Sequence, residues 1–170
     1  VNAQIDRASV NLFLRRKGLT AIADKSQAAH LQSFGLTPDV VFDVGVDQGT
    51  PFLYQAFPDA QFALVDPRPE SRSALTGPDA PKNAQFFETA LGAAPGALTL
   101  NIPHSDKGEQ GAMASLRQRT DTLASKFNRI ETREVTVTTL DHIAADFKGR
   151  FGLKIDTEGF EDEVLAGGPE

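Results

Sequence analysis

The stretch Val40-Val41-Phe42-Asp43-Val44-Gly45-Val46-Asp47-Gln48-Gly49 decides how the chain is read. Val40 to Val44 is a short apolar run broken by a single acid, the pattern of a strand buried on both faces of a parallel sheet. Gly45 to Gly49 then turns the chain, and Thr50-Pro51 supplies an N-cap and a proline at the first helical position. Phe52, Leu53, Ala56 and Phe57 give that helix an inner face, and Pro58 ends it. A strand, a glycine turn and a helix start bring backbone N–H groups to the carboxyl end of a sheet, where α/β proteins bind ligands. Gly45 and Gly49 are expected to let the backbone approach a ligand where a Cβ would collide.

The dinucleotide fingerprint GxGxxG does not fit. Counted from Gly45, its other glycines would fall at Asp47 and Thr50. Asp43, at the strand end, suits a cationic ligand and can meet the amino group of an amino-acid tail, directly or through water. Asp47 would repel a pyrophosphate. Both acids weigh against NAD and ATP.

The strand–acid pattern returns downstream. Gln61 to Asp66 is a second apolar strand ending in an acid, about 20 residues after the glycine turn, where a carboxylate accepts hydrogen bonds from ribose hydroxyls. Pro67 and Pro69 shape its exit, and Glu70 to Leu75 reads as a short helix stopped by Gly77. Ala84 to Phe87, Ala97 to Ile102 and Glu134 to Thr138 read as further strands. Thr139 caps a helix carrying Leu140, Ile143 and Phe147. Phe151 to Asp156 is the last strand, followed by a helix over Gly159 to Ala166 with Val164 and Leu165 inward and Gly167-Gly168 as its stop. Strands alternating with helices predict an α/β fold with a mostly parallel sheet and helices on both faces.

The last strand ends in Lys154-Ile155-Asp156-Thr157-Glu158-Gly159. Asp156 and Glu158 can hold an acceptor, draw a proton from its hydroxyl or help to bind a divalent cation. Glu161 and Asp162 are read as acids that favour the positive helix N-terminus. His142 and His104 are the histidine candidates for a general base, and His30 reads as structural. No HExxH, paired-histidine or serine-triad arrangement is present, and no metal site is assigned.

Two helices are expected ahead of the first strand. Ile5, Val10, Phe13 and Leu14 suggest an amphipathic helix stopped at Gly18, and a second runs from Ser26 to Phe34 with Gly35 at C′. This divides the chain into an N-terminal helical segment, residues 1–37, and a ligand-binding domain, residues 38–170. Pro103 to Ala114 is polar and glycine-bearing and reads as a mobile loop, and Leu116 to Phe127 as a helix.

Bulk composition is that of a globular domain, 40% hydrophobic and 24% charged over 170 residues. A net charge of −6 argues against a nucleic-acid partner, which requires a basic face. Arg15, Arg16 and Lys17 form a compact basic cluster, read as a solvated helix face. No apolar run approaches the roughly 20 residues that span a bilayer, so no membrane partner is expected. The absence of cysteine excludes disulfides and thiolate chemistry and fits a cytoplasmic protein. Oligomeric state is not legible.

Taken in order, these motifs resemble the FkbM family of methyltransferases. Its D-V-G-A-N-x-G, F-E-P, A-L-G, V-x-L-D and K-I-D-x-E-G pieces correspond to Asp43 to Gly49, Val65-Asp66-Pro67, Ala90-Leu91-Gly92, Val137 to Asp141 and Lys154 to Gly159. The resemblance implies a Rossmann-like class I methyltransferase that uses S-adenosylmethionine to O-methylate a hydroxyl of a sugar or small metabolite. It implies that Asp43, Gly45, Val46, Asp47 and Gly49 line the methionine part of that cofactor and that Asp66 and Pro67 meet the ribose. Glu88 and Thr89 would lie near the adenine, and Asp156 near the transferred methyl. Asp156, Glu158 and His142 are the catalytic candidates on the reading of the residues. The family fold has further strands after the fourth, so the chain is expected to be truncated after strand four and its helix. Three departures from the family stand out: Val46-Asp47 replaces Ala-Asn, Asp66 replaces Glu, and Phe160 replaces a smaller residue and is expected to narrow the acceptor pocket. A non-catalytic module that binds the same cofactor or a protein partner is the alternative. An NAD(P)-dependent oxidoreductase ranks last.

Overall fold

Four parallel strands form the central sheet: β1 (Val40–Val44), β2 (Gln61–Val65), β3 (Ala84–Phe87) and β8 (Phe151–Ile155), ordered β3-β2-β1-β8. The structure, a computed structural model, describes residues 7–20, 24–106, 108–117 and 127–168. Strand β1 lies between β2 and β8 and is buried along its whole length, as its nearly unbroken apolar run requires.

Alternation along β1 sends side chains to two separate cores. Val40, Phe42 and Val44 face α4 (Leu140–Ala144) and α5 (Glu161–Ala166), packing with Leu140, Ile143, Phe147 and Val164. Val41 faces the other way, with Leu53 and Tyr54 of α3 (Pro51–Ala56), Phe62, Leu64 and Ala74. Ala74 lies in a 3₁₀ helix, Pro69–Leu75, where a short helix was expected. The sheet is thus covered on both faces, the Rossmann-like arrangement that the motif order predicts.

A second sheet, ordered β4-β7-β5-β6, stands beside the expected mostly parallel sheet and was not anticipated. Its centre is an antiparallel pair of long strands, β5 (Gly96–Ser105) and β7 (Arg129–Thr138), both longer than expected. The short β4 (Ala90–Leu91), read only as a motif in the sequence, joins β7, and β6 (Gly108–Glu109) joins β5. The predicted mobile loop Pro103 to Ala114 is therefore the tip of this sheet, with a 3₁₀ turn at Gly111–Met113. Proline survives inside β5 because Asn101 N donates to Ser115 O, so the nitrogen of Pro103 turns to the same side, away from β7.

Helix α1 spans Arg7–Arg16 and α2 spans Asp24–Ser33; Ile5 lies outside the described residues. Phe13, expected on the inner face of α1, is 61% exposed. Helix α2 packs on α3, where Gln32 Nε2 donates to Ala56 O at 3.2 Å. His30 stacks edge-on against Phe34 at 5.0 Å. The expected helix Leu116 to Phe127 falls largely outside the described residues. In α5 only Val164 is buried; Leu165 is exposed, because a helix of under two turns offers its inner face to one such position. No helix among the described residues is long and apolar enough to cross a membrane.

Candidate functional site

The carboxyl ends of β1, β2 and β8 open into a cavity of about 850 Å³, within the size range of small-molecule sites. The tip of the second sheet, from Gly111 to Leu116, forms its opposite wall. Gly45, Val46, Asp47, Gly49, Asp66, Pro67, Thr89, Asp156 and Glu158 all line it.

Register explains how the acids come together. Asp43 pairs with Leu64 on one side and Lys154 on the other, so Asp66 and Asp156 both follow just beyond the strand ends. Asp66 is 4% exposed and held rigidly: Oδ2 accepts from Asp47 N at 2.9 Å and Oδ1 from Arg68 N at 2.9 Å. Each oxygen keeps further acceptor capacity for a ligand hydroxyl. Asp47 adopts φ of +48°, a left-handed conformation that short polar side chains tolerate.

Arg68 binds these acids together. Its Nη2 donates to Asp47 Oδ1 at 2.7 Å and to Ser71 Oγ at 3.1 Å, while Nε lies 3.4 Å from Asp66 Oδ1. Burial would lower the guanidinium pKa, but Asp66 and Asp47 outweigh it and raise it. Arg68 was not among the expected site residues; a base two positions after the strand-end acid was its only signal.

Asp43 does not reach the cavity. It is fully buried, with Oδ2 accepting from Tyr54 Oη at 2.8 Å and Oδ1 at 2.9 Å from Lys154 Nζ, out of hydrogen-bonding alignment. Lys154 Nζ also donates to Gly45 O at 2.8 Å, so Asp43 shapes the glycine turn through lysine. Burial, and then the charge of Asp43, push the Tyr54 pKa well above its usual value.

The expected role of Gly45 also changes. At φ of +75° a Cβ there would lie 1.8 Å from Asp156 O, so its missing side chain admits the Asp156 carbonyl just beyond β8, while Gly45 still lines the cavity. Thr50 occupies the N-cap of α3 with Pro51 following, but makes no side-chain cap hydrogen bond.

The acidic turn after β8 is braced from two directions. Glu161 Oε1 accepts from Thr157 N at 2.9 Å and Gly159 N at 3.1 Å. Burial alone would raise the Glu161 pKa; those backbone donors lower it below the usual carboxylate value. Ser115 Oγ donates to Glu158 O at 2.8 Å, tying the second sheet to the turn. Glu158 itself sits at φ of +55°. Asp162 Oδ1 accepts from Glu163 N at 3.1 Å in the first turn of α5, as expected, and the side chain also pairs with Arg117 at 2.8 Å.

Other candidates lie apart from the cavity. His142 is exposed on α4, where its backbone N–H donates to Thr139 Oγ1 at 3.2 Å. His104 meets Glu131 at 3.1 Å on the second sheet. Glu88 is paired with Arg72 at 3.2 Å, since its side chain leaves β3 toward the 3₁₀ helix; its neighbour Thr89 lines the cavity. Phe160 points toward Gly92 and lies under Arg117, so it does not narrow the pocket. Among the described residues, no cluster of His, Cys, Asp and Glu suited to a metal ion is present.

The sheet order, the two-sided cover and a cavity at the carboxyl ends of β1, β2 and β8 define a Rossmann-like α/β domain. The chain matches the family model "Methyltransferase FkbM domain" over residues 43–170 and belongs to that family. No curated protein and no solved structure matches it significantly.

Proposed function

We propose that the protein transfers a methyl group from S-adenosylmethionine to a hydroxyl oxygen of a sugar or other small molecule. The observation that carries this reading is Asp66, a carboxylate locked by two backbone donors at the edge of a cavity that also holds Asp156 and Glu158. The residues fit such a cofactor. Asp66 offers acceptors to a ribose diol, Thr89 lies beyond it toward β3, and the carboxylates of the cavity wall favour a cationic ligand over a pyrophosphate.

The bound sulfonium would supply an electrophilic methyl group, leaving the chain to align the acceptor and exclude water. Asp156 and Glu158, which line the cavity, would hold the acceptor hydroxyl and take its proton; His142, exposed on α4, is not part of that lining. Leu100, Ala114 and Leu116 add apolar surface to the cavity lining, which would disfavour water beside the reacting atoms once ligands are bound.

Calorimetry with S-adenosylmethionine and S-adenosylhomocysteine tests the reading. Binding of both is expected, with Asp66→Ala weakening each by about tenfold or more through loss of the ribose acceptor. Absence of binding by the unaltered chain would reject the cofactor. Binding without turnover across a panel of sugar and metabolite hydroxyls would favour a non-catalytic cofactor-binding module.

A further inference from the structure

The cavity carries a group of charges that alignment of a cofactor does not require. Asp47 and Asp66 approach closely enough for Asp47 N to donate to Asp66, and two carboxylates so placed repel each other. Arg68 stands between them with only 5% of its side chain exposed. Its remaining nitrogen, Nη1, points at the second sheet and lies 3.6 Å from Glu109 Oε1. Thus one guanidinium reaches acids on the glycine turn, on the end of β2 and on β6.

The second sheet is shaped to receive it. A Cβ on Gly111 would lie 1.8 Å from Arg68 Nη1, 2.8 Å from its Cζ and 3.0 Å from Asp47 Oδ1. Gly111 has an ordinary backbone conformation, so space and not φ calls for glycine there. The guanidinium cannot swing aside cheaply, because Asp47, Asp66 and Ser71 hold it from behind. The turn around Gly111 is further ordered by Gln110 N donating to Pro103 O at 2.8 Å, Met113 N to Gln110 O and Ala114 N to Gly111 O at 2.9 Å.

We propose that Arg68 is a positioning residue that latches the tip of the second sheet, Gly108 to Met113, over the Asp47–Asp66 wall of the site. Its single charge offsets part of the repulsion between the two acids and its third face meets the tip, so the wall that binds and the wall that covers form one unit. The structural part of this inference stands on its own. Its consequence for affinity rests on the proposed cofactor.

Hydrogen exchange on the ligand-free full chain reads the latch directly. Arg68→Met is expected to speed exchange of the Gln110, Met113 and Ala114 amides by about tenfold while β1 and β2 amides keep their protection. Gly111→Ala should do the same in the unaltered chain, by pushing its methyl into the guanidinium. In an Arg68→Ala background, Gly111→Ala should add nothing, since the colliding group has gone. Calorimetry with S-adenosylhomocysteine gives the second arm. Arg68→Met should weaken binding about tenfold, and adding Asp47→Asn should recover part of that loss by removing a stranded acid. Unchanged exchange at the tip in Arg68→Met, or additive effects of Gly111→Ala and Arg68→Ala, would overturn the latch. Uniform loss of protection across β1 and β2 would overturn it too, reducing Arg68 to a fold-wide structural residue. An unaltered chain that binds no cofactor refutes the proposed function alone, because the exchange arm still decides the latch.

Discussion

Replacing Lys154 with methionine removes a charge that faces a fully buried carboxylate. Asp43 has no solvent exposure, and its oxygens meet Lys154 Nζ at 2.9 Å and Tyr54 Oη at 2.8 Å. Methionine retains an unbranched apolar stem and deletes the ammonium, together with its 2.8 Å bond to Gly45 O. Breaking a buried pair from one side costs about 3–5 kcal/mol, because the surviving charge is left uncompensated. The Lys154 side chain is 24% exposed, so water can approach from that side. The loss is therefore expected at the low end, about 3 kcal/mol. With a urea m-value of about 2 kcal/mol/M, the unfolding midpoint falls by about 1.5 M. Adding Asp43→Asn removes the stranded charge yet keeps an acceptor for Tyr54, and should restore at least about 1 kcal/mol. Urea titration followed by circular dichroism measures both variants. A Lys154→Met midpoint within about 0.3 M of the unaltered chain, or a double variant no more stable than the single one, would refute the reasoning.

Gly45→Ala forces a Cβ toward Asp156 O at a positive φ, so thermal unfolding should show a loss of about 2 kcal/mol or more whether or not a cofactor is added. Tyr54→Phe leaves Asp43 with one partner fewer and should cost about 1.5–3 kcal/mol at neutral pH. The same variant changes the alkaline limb: Tyr54 holds its proton more tightly folded than unfolded, so its contribution is complete below the ordinary tyrosine value of about 10 and fades as pH rises beyond it. Stability titrations above that pH should fall less steeply in Tyr54→Phe. Glu161 has the opposite sign, since its folded pKa is lowered; its contribution is present above the unfolded glutamate value of about 4.3 and is lost as pH falls through the folded one. Glu161→Gln should accordingly flatten the acid limb of a stability-versus-pH curve, and an unaltered limb would remove the backbone donors as its cause.

The parallel sheet was legible because burial on both faces leaves a one-dimensional trace. Val40 to Val44 and Gln61 to Val65 are apolar runs with few polar positions, each ending in a turn and an acid. The second sheet leaves a weaker trace. Pro103 and the glycines at 108 and 111 have loop-like composition, yet the proline nitrogen faces away from β7 and Gly111 is needed where Arg68 comes close. Side-chain partnerships were illegible for a related reason. Lys154 meets Asp43 only because β1 and β8 pair in that register, and Arg68 meets Glu109 only because the second sheet folds back over the first.

That difference bears on which motif residues can report a ligand at all. A residue at the end of a buried strand faces both the cavity and the neighbouring strand, and identity alone does not say which it serves. Asp43 serves the neighbour alone, closed off by Lys154 and Tyr54, and Gly45, though it lines the cavity, is also packed against the Asp156 carbonyl. Their variants would lose ligand binding through unfolding, and such a loss would not identify a cofactor. Asp47 and Asp66 line the cavity itself, so their variants separate contact from scaffold, provided stability is followed alongside affinity. Asp66→Ala strands the N–H groups of Asp47 and Arg68, a cost of about 1–3 kcal/mol each if water does not replace the carboxylate. Asp47→Asn keeps a side-chain acceptor for Arg68 while deleting a charge, and so perturbs the fold least. A change in cofactor affinity in Asp47→Asn at unchanged melting temperature is therefore the cleanest evidence that the glycine turn touches the ligand.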